Sequence, residues 1–181
     1  MESQERQWVL DQLASSEARL LEVLEGLTPE QWRFRETPER WSIAEITEHL
    51  ILFEGFILAA VLNALRGPAE HDKRGLAASS ESLVLGLAQS RGTRFNAREV
   101  VRPTGKWSDP RALAAGFREA RARTVAFAGT TEAELRDHFF PHIAFGDLDC
   151  CQWLKLLGQH TLRHVSQIEA IKADSAYPVM R

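Results

Sequence analysis

Apolar residues recur at three- and four-residue steps along four stretches of this chain, and each stretch predicts an amphipathic helix. In the first, from about Gln4 to about Gly26, Trp8, Val9, Leu13, Leu20, Leu24 and Leu27 form one stripe. Gly26 is its stop signal. In LTPEQW, Thr28 is a cap and Pro29 occupies a first helical position, so a short helical turn carries Trp32 into the core. The second long helix opens at Ser42, with Glu45 completing a capping box. Its stripe is Ile43, Ile46, Leu50, Phe53, Ile57, Val61 and Leu65, and Gly67-Pro68 ends it. The third begins at Ser108-Asp109-Pro110 and runs through Leu113, Phe117, Ala120, Thr124 and Phe127 to Gly129, with one more turn expected over Thr131 to Arg136. The fourth opens at Asp149 with Gln152 as box partner, and its stripe is Trp153, Leu157, His160, His164, Ile168 and Ile171.

Between the second and third helices the pattern breaks. Residues 67 to 107 hold His71, Gly75, Gly86, Gly92, Pro103 and Gly105, with a short helix expected over Ser80 to Gln89 and an extended run over Phe95 to Pro103. A connection this long does not fit a tight helical hairpin and suits a crossover over a bundle. FFPHIAFGD reads as a loop with aromatic anchors before the fourth helix. The expectation is an all-α four-helix bundle filling residues 1–181 as one domain, with 67–107 as its crossover.

Composition narrows the function classes. A formal net charge of −3 and scattered basic residues argue against a nucleic-acid partner. The densest basic run, Arg111 to Arg123, includes Arg118, Arg121 and Arg123 and reads as a solvated helix face. The N-terminus is charged and has no apolar segment of the secretory kind. The apolar stretch Leu50 to Leu62 is broken by Glu54 and is too short to cross a bilayer, so no membrane partner is expected. Cys150 and Cys151 are adjacent and poorly placed to bridge, which leaves no disulfide framework and points to the cytoplasm. Both read as small buried hydrophobes.

The candidate chemistry lies on the fourth helix. His160 and His164 stand at i and i+4 on a face that Leu157 and Ile168 mark as inward. Two imidazoles so placed can reach one ion. The same spacing also occurs in surface pairs and in core histidines bonded to backbone. His49, at the edge of the Ile46–Leu50–Phe53 stripe, supplies a third imidazole if the second and fourth helices face each other. Three neutral imidazoles with open coordination positions make a catalytic type of metal site. Glu45, one turn before His49, either orients that ring or serves its cap. Arg163 and Gln167 either hold an anionic substrate group or lie on an exposed face. His138 and His142 read as loop residues, His142 near a pocket mouth, and His71 as solvated. The five tryptophans, Trp8, Trp32, Trp41, Trp107 and Trp153, read as core anchors.

The segments ERWSIAEITEHL and GQHTLRHVSQIEAI resemble the two signature regions of the DinB/YfiT-like superfamily. In that pattern a histidine follows a W-[ST]-x-x-[EQ] start and an H-x-x-x-H pair comes later, which here are Trp41, Ser42, Glu45, His49, His160 and His164. LTPEQW, VRPTGKWSDP and PHIAFGDLDCCQWL are in the same style, although Pro141-His142 reverses the usual order of that pair. The resemblance implies an up-down-down-up bundle, a bound zinc or nickel ion, and a homodimer. It also implies a metal-dependent S-transferase using a low-molecular-weight thiol such as bacillithiol, mycothiol or glutathione. The alternatives are a metal-dependent hydrolase and a non-catalytic, stress-related protein that binds a metal or small ligand.

Overall fold

The computed structural model describes residues 1–89, 97–107 and 109–179. Four long helices carry it: α1 (Ser3–Leu24), α3 (Ile43–Ala64), α6 (Pro110–Thr130) and α7 (Cys150–Lys172). Short helices α2 (Pro29–Arg33), α4 (Arg74–Ala78) and α5 (Glu81–Leu85) fill the connections. Thr28 with Gln31, Ser42 with Glu45, and Asp149 with Gln152 all form reciprocal capping boxes, which satisfy otherwise orphaned N–H groups at the starts of α2, α3 and α7. The Asp109 carboxylate accepts from the Arg111 N–H at the start of α6. Ser108, read as part of that cap, lies outside the described residues.

α1 packs on α6 and α7, and α3 packs on the same two helices, so α1 and α3 occupy opposite corners of the bundle. Gly158 lets α7 approach α1 closely, since a Cβ there would stand 3.3 Å from the Gln12 carbonyl oxygen. The apolar core falls into two clusters. One gathers Leu20, Trp32, Ile43, Ile46, Leu113, Phe117 and Ile168; the other gathers Val9, Leu13, Ile57, Val61, Leu148, Leu154 and Leu157. Between them in sequence, on all four long helices, lie buried polar residues: Ser16, Glu54, Arg121, Thr124 and Thr161.

The crossover is longer on structure than its sequence suggested. α4, α5 and single 3-10 turns at His71–Lys73, Leu87–Gln89 and Glu99–Val101 occupy it. Of the run expected to be extended, Phe95 to Pro103, residues 95 and 96 lie outside the described residues, and within the rest Glu99–Val101 is a 3-10 turn instead. The expected turn over Thr131 to Arg136 is a 3-10 turn at Leu135–Asp137.

FFPHIAFGD is a β-hairpin rather than a loop. Strands β1 (Phe139–His142) and β2 (Gly146–Asp149) pair antiparallel, Phe139 opposite Asp149 and His142 opposite Gly146. Pro141 disguises the first strand, because proline cannot donate to a ladder, but a two-stranded hairpin tolerates it at an edge. Gly146 takes φ 73° just after the turn, a conformation suited to glycine. The hairpin is anchored on α7, where the Phe140 and Trp153 rings stack at 4.3 Å and the Trp153 indole N–H donates to the Phe140 carbonyl.

Two further expectations fail. Arg121 is wholly buried, whereas Arg118 and Arg123 of the same run are exposed. Arg121 sits one residue past Ala120 on the inward face of α6, and polar partners on the other long helices make its burial tolerable. Trp8 is 36% exposed at the bundle edge, where Lys155 lies 5.6 Å over its ring. No helix among the described residues is long and apolar enough to cross a membrane.

Candidate metal centre

The second and fourth long helices of the sequence, α3 and α7, face each other, and that brings three imidazoles together. His49 Nε2 stands 3.4 Å from His160 Nε2, and His160 Nε2 stands 3.2 Å from His164 Nε2. One ligand atom from each of the three lies within 4.8 Å of the other two. His49 and His164 are buried and His160 is half-buried.

For His49 and His164 the outer nitrogen fixes which lone pair points inward. The His49 Nδ1–H donates to the Val101 carbonyl at 2.7 Å, and the His164 Nδ1–H donates to Gln167 Oε1 at 3.0 Å. Each of these bonds leaves the Nε2 lone pair free to face the centre. His160 Nδ1 is buried and, among the described residues, has no hydrogen-bond partner. Aromatic rings wall the group: Phe53 stacks on His160 at 4.0 Å, and Trp41 lies 5.0 Å from His49.

Burial dominates the electrostatics. It lowers the pKa of His49 against the opposing pull of the Val101 carbonyl. Burial also holds His160 well below the ordinary histidine value, helped by His164, His49, Arg163 and His142. His164 is pushed down to about 3 by burial and by His49, against the Gln167 hydrogen bond. All three rings are therefore neutral at pH 7, the protonation state that a ligand requires.

The remaining candidates fall elsewhere. Glu45 serves its cap: it accepts from the Ser42 N–H at 2.9 Å and pairs with Arg35 at 2.7 Å. Glu48, adjacent to His49, accepts from the Thr104 and Gly105 N–H groups of the crossover. His142 Nδ1 accepts from the Ala144 and Phe145 N–H groups of the hairpin turn, and burial pushes its pKa down to about 4. His138 Nδ1 meets the Ala64 carbonyl, and the exposed His71 lies against Asp137. Arg163 is half-buried and directs one N–H toward the Leu87 carbonyl at 3.5 Å. Cys150 and Cys151 are free and buried, with their thiols pushed up to about 12, first by burial.

Sequence reasoning missed Val101, Phe53 and Trp41 as neighbours of the imidazoles, and left Gln167 without its role. Phe53 follows His49 by one turn, and Gln167 follows His164 by three residues, so helical spacing could have found both. The Val101 carbonyl arrives from the crossover, and backbone groups leave no trace in side-chain patterns.

Comparison with known proteins agrees with this architecture. Residues 12–168 match the DinB superfamily. Over 159 residues the chain is 26% identical to the uncharacterized protein YuaE of Bacillus subtilis, a match covering 87% of this chain and 94% of YuaE. The structure superposes on YfiT from Bacillus subtilis with a TM-score of 0.60 and 14% sequence identity, covering 98% of this chain and 91% of that one. YfiT is described as a probable metal-dependent hydrolase with an unusual four-helix bundle topology.

Proposed function

The chain belongs to the DinB superfamily, and on that premise we propose a metal-dependent enzyme that holds one divalent transition-metal ion on His49, His160 and His164. In this reading it transfers a low-molecular-weight thiol to a small electrophilic substrate. The spacing of the ring nitrogens carries the proposal. Imidazole nitrogens each about 2.0–2.1 Å from one tetrahedral ion stand about 3.3–3.4 Å apart. The Nε2 separations of 3.4 and 3.2 Å fit that edge. The Nε2 lone pairs of His49 and His164 both face this point beside Phe53 and Trp41, and the His160 ring adds a third when its proton sits on Nδ1. Imidazole donors suit zinc and nickel, and would take copper more tightly where it is available.

A divalent ion in such a place supplies Lewis acidity, lowering the pKa of a water or thiol that joins it. The protein contributes neutral ligands only, so the charge that completes the site has to come from outside. The carboxylates next in line are committed: Glu45 to Ser42 and Arg35, Glu48 to the crossover backbone, and Glu54 to Arg121 and Thr124. Among the described residues, none of the three carboxylates is positioned to take a proton from water beside the imidazoles. A thiol needs no such base, because a coordinating thiol gives up its proton outright. Arg163, whose charge already depresses His160 and His164, favours an anionic thiol or substrate group nearby.

Hydrolysis is the second reading, and the description of YfiT favours it. The test is turnover by metal-loaded protein with a panel of thiols and electrophiles, followed by the loss of free thiol and the release of acid. Thiol consumption that stops on chelation and in His160→Ala supports transfer. Acid release without thiol consumption supports hydrolysis, and neither signal leaves a metal-binding protein without this chemistry.

A further inference from the structure

The apolar core is interrupted midway by a charged layer that the metal chemistry does not use. Arg121 of α6 is fully buried and Glu54 of α3 is 2% exposed. One guanidinium nitrogen, Arg121 Nη2, donates both to Glu54 Oε1 on α3 and to Thr161 Oγ1 on α7, the latter at 2.8 Å. The other, Nη1, donates to the Leu13 carbonyl at 2.8 Å and to Ser16 Oγ at 2.9 Å, both on α1. Glu54 Oε2 accepts from Thr124 Oγ1 on α6 at 2.7 Å. A single side chain of α6 therefore holds all three other long helices.

A stability role explains this layer poorly. Desolvating a buried ion pair costs about as much as the pair regains, and well-packed apolar replacements are often neutral or stabilising. Arg121 Nε is also buried without a partner among the described residues, a further cost. What the layer has that apolar packing lacks is direction. Leucine and isoleucine seams tolerate small slides of one helix along another, whereas hydrogen bonds lose strength over fractions of an ångström. The partners also lie beside the imidazoles in sequence: Thr161 follows His160, and Glu54 is five residues beyond His49 on α3.

We propose that the Glu54–Arg121–Thr161 bridge is a positioning device that fixes α3 against α7, so that His49 meets His160 and His164 at ligand spacing. Its consequence for affinity rests on the metal site proposed above; its consequence for ring positions does not.

The test is the double variant Glu54→Leu/Arg121→Met, which removes both charges and leaves neither one buried alone. Circular dichroism should show unchanged helix and a melting temperature no lower than wild type. Zinc affinity, read by competition with a chelating dye, should fall about 10- to 100-fold, the usual effect of losing support behind a ligand. In the metal-free protein, nuclear Overhauser contacts between the His49 and His160 rings should weaken. Thr161→Val, which cuts only the α7 arm, should move both readouts in the same direction by less. Where wild type binds zinc, unchanged zinc affinity in the double variant overturns the proposal. A double variant that loses its helix overturns it too, because the pair would then hold the fold and not the site. Where wild type takes up no zinc, the metal reading fails, and the ring contacts alone decide: weakened contacts support positioning and unchanged contacts refute it.

Discussion

Helix α7 carries two buried polar regions little more than one turn apart, and they are built on opposite plans. Around Lys155 the charges close on themselves. Its ammonium meets Glu5 at 2.8 Å and also Glu81, and Arg136 joins Glu5 to Asp149. Burial alone would raise the pKa of Glu5 and Glu81, yet hydrogen bonds and charge from Lys155 and neighbouring groups hold both carboxyls below their ordinary value. Around His160 the reverse holds: three Nε2 atoms converge, two of them with lone pairs turned inward, and among the described residues no carboxylate acts on any of the three rings. A closed network asks nothing of a ligand, whereas converging neutral imidazoles without an acidic partner suit a metal cation. The two regions therefore divide the labour of the helix, one tying the bundle together and the other left to bind.

The largest expected effect separates the two plans at once. His49→Ala, His160→Ala and His164→Ala should each lose tight ion binding, read by elemental analysis after dialysis, while circular dichroism stays near wild type. Apolar side chains carry the core, so removing an imidazole should cost little helix. Next in size, Gln167→Leu should weaken zinc binding by about 10- to 100-fold, since it frees the ring that Gln167 orients. An unchanged affinity would show that His164 is held by packing alone.

Lys155→Met should do the converse. It strips Glu5 and Glu81 of a shared partner, and chemical denaturation should show a loss of about 1–3 kcal/mol. Zinc stoichiometry should stay at the wild-type value, and a variant that lost both would join the two regions that we have separated. The smallest effect is on pH dependence. In the folded chain His142 titrates near 4 against an ordinary value of 6.5. Between those values the unfolded chain binds more protons, so stability falls as pH drops through the window. The triad histidines are lowered too and act in the same sense. Thermal melts of metal-free His142→Asn from pH 7 to pH 4 should fall less steeply than wild type.

The long helices and the triad were legible in the sequence because both are written in helical period. Ser42 and Glu45, Asp149 and Gln152, and the stripe through His160 and His164 appear in the structure as the spacing predicts. His49 was harder to place, since its role depended on α3 facing α7, which no local pattern states. Arg121 was misread for a related reason. An arginine among arginines looks solvated, and only Glu54, Thr161 and the α1 groups, all remote in sequence, make its burial tolerable. The hairpin escaped because Pro141 and Gly146 are loop signals in most contexts, and its anchor, the stacking of Phe140 on Trp153 of α7, joins two elements that no strand pattern links.

The most direct test of the central claim is the X-ray absorption spectrum of the zinc-loaded protein. The account predicts three imidazole scatterers at about 2.0–2.1 Å, with the shell completed by oxygen. With no added thiol present, sulfur at about 2.3 Å, which would place the ion on Cys150 or Cys151, or fewer than two imidazoles in the shell, would contradict it.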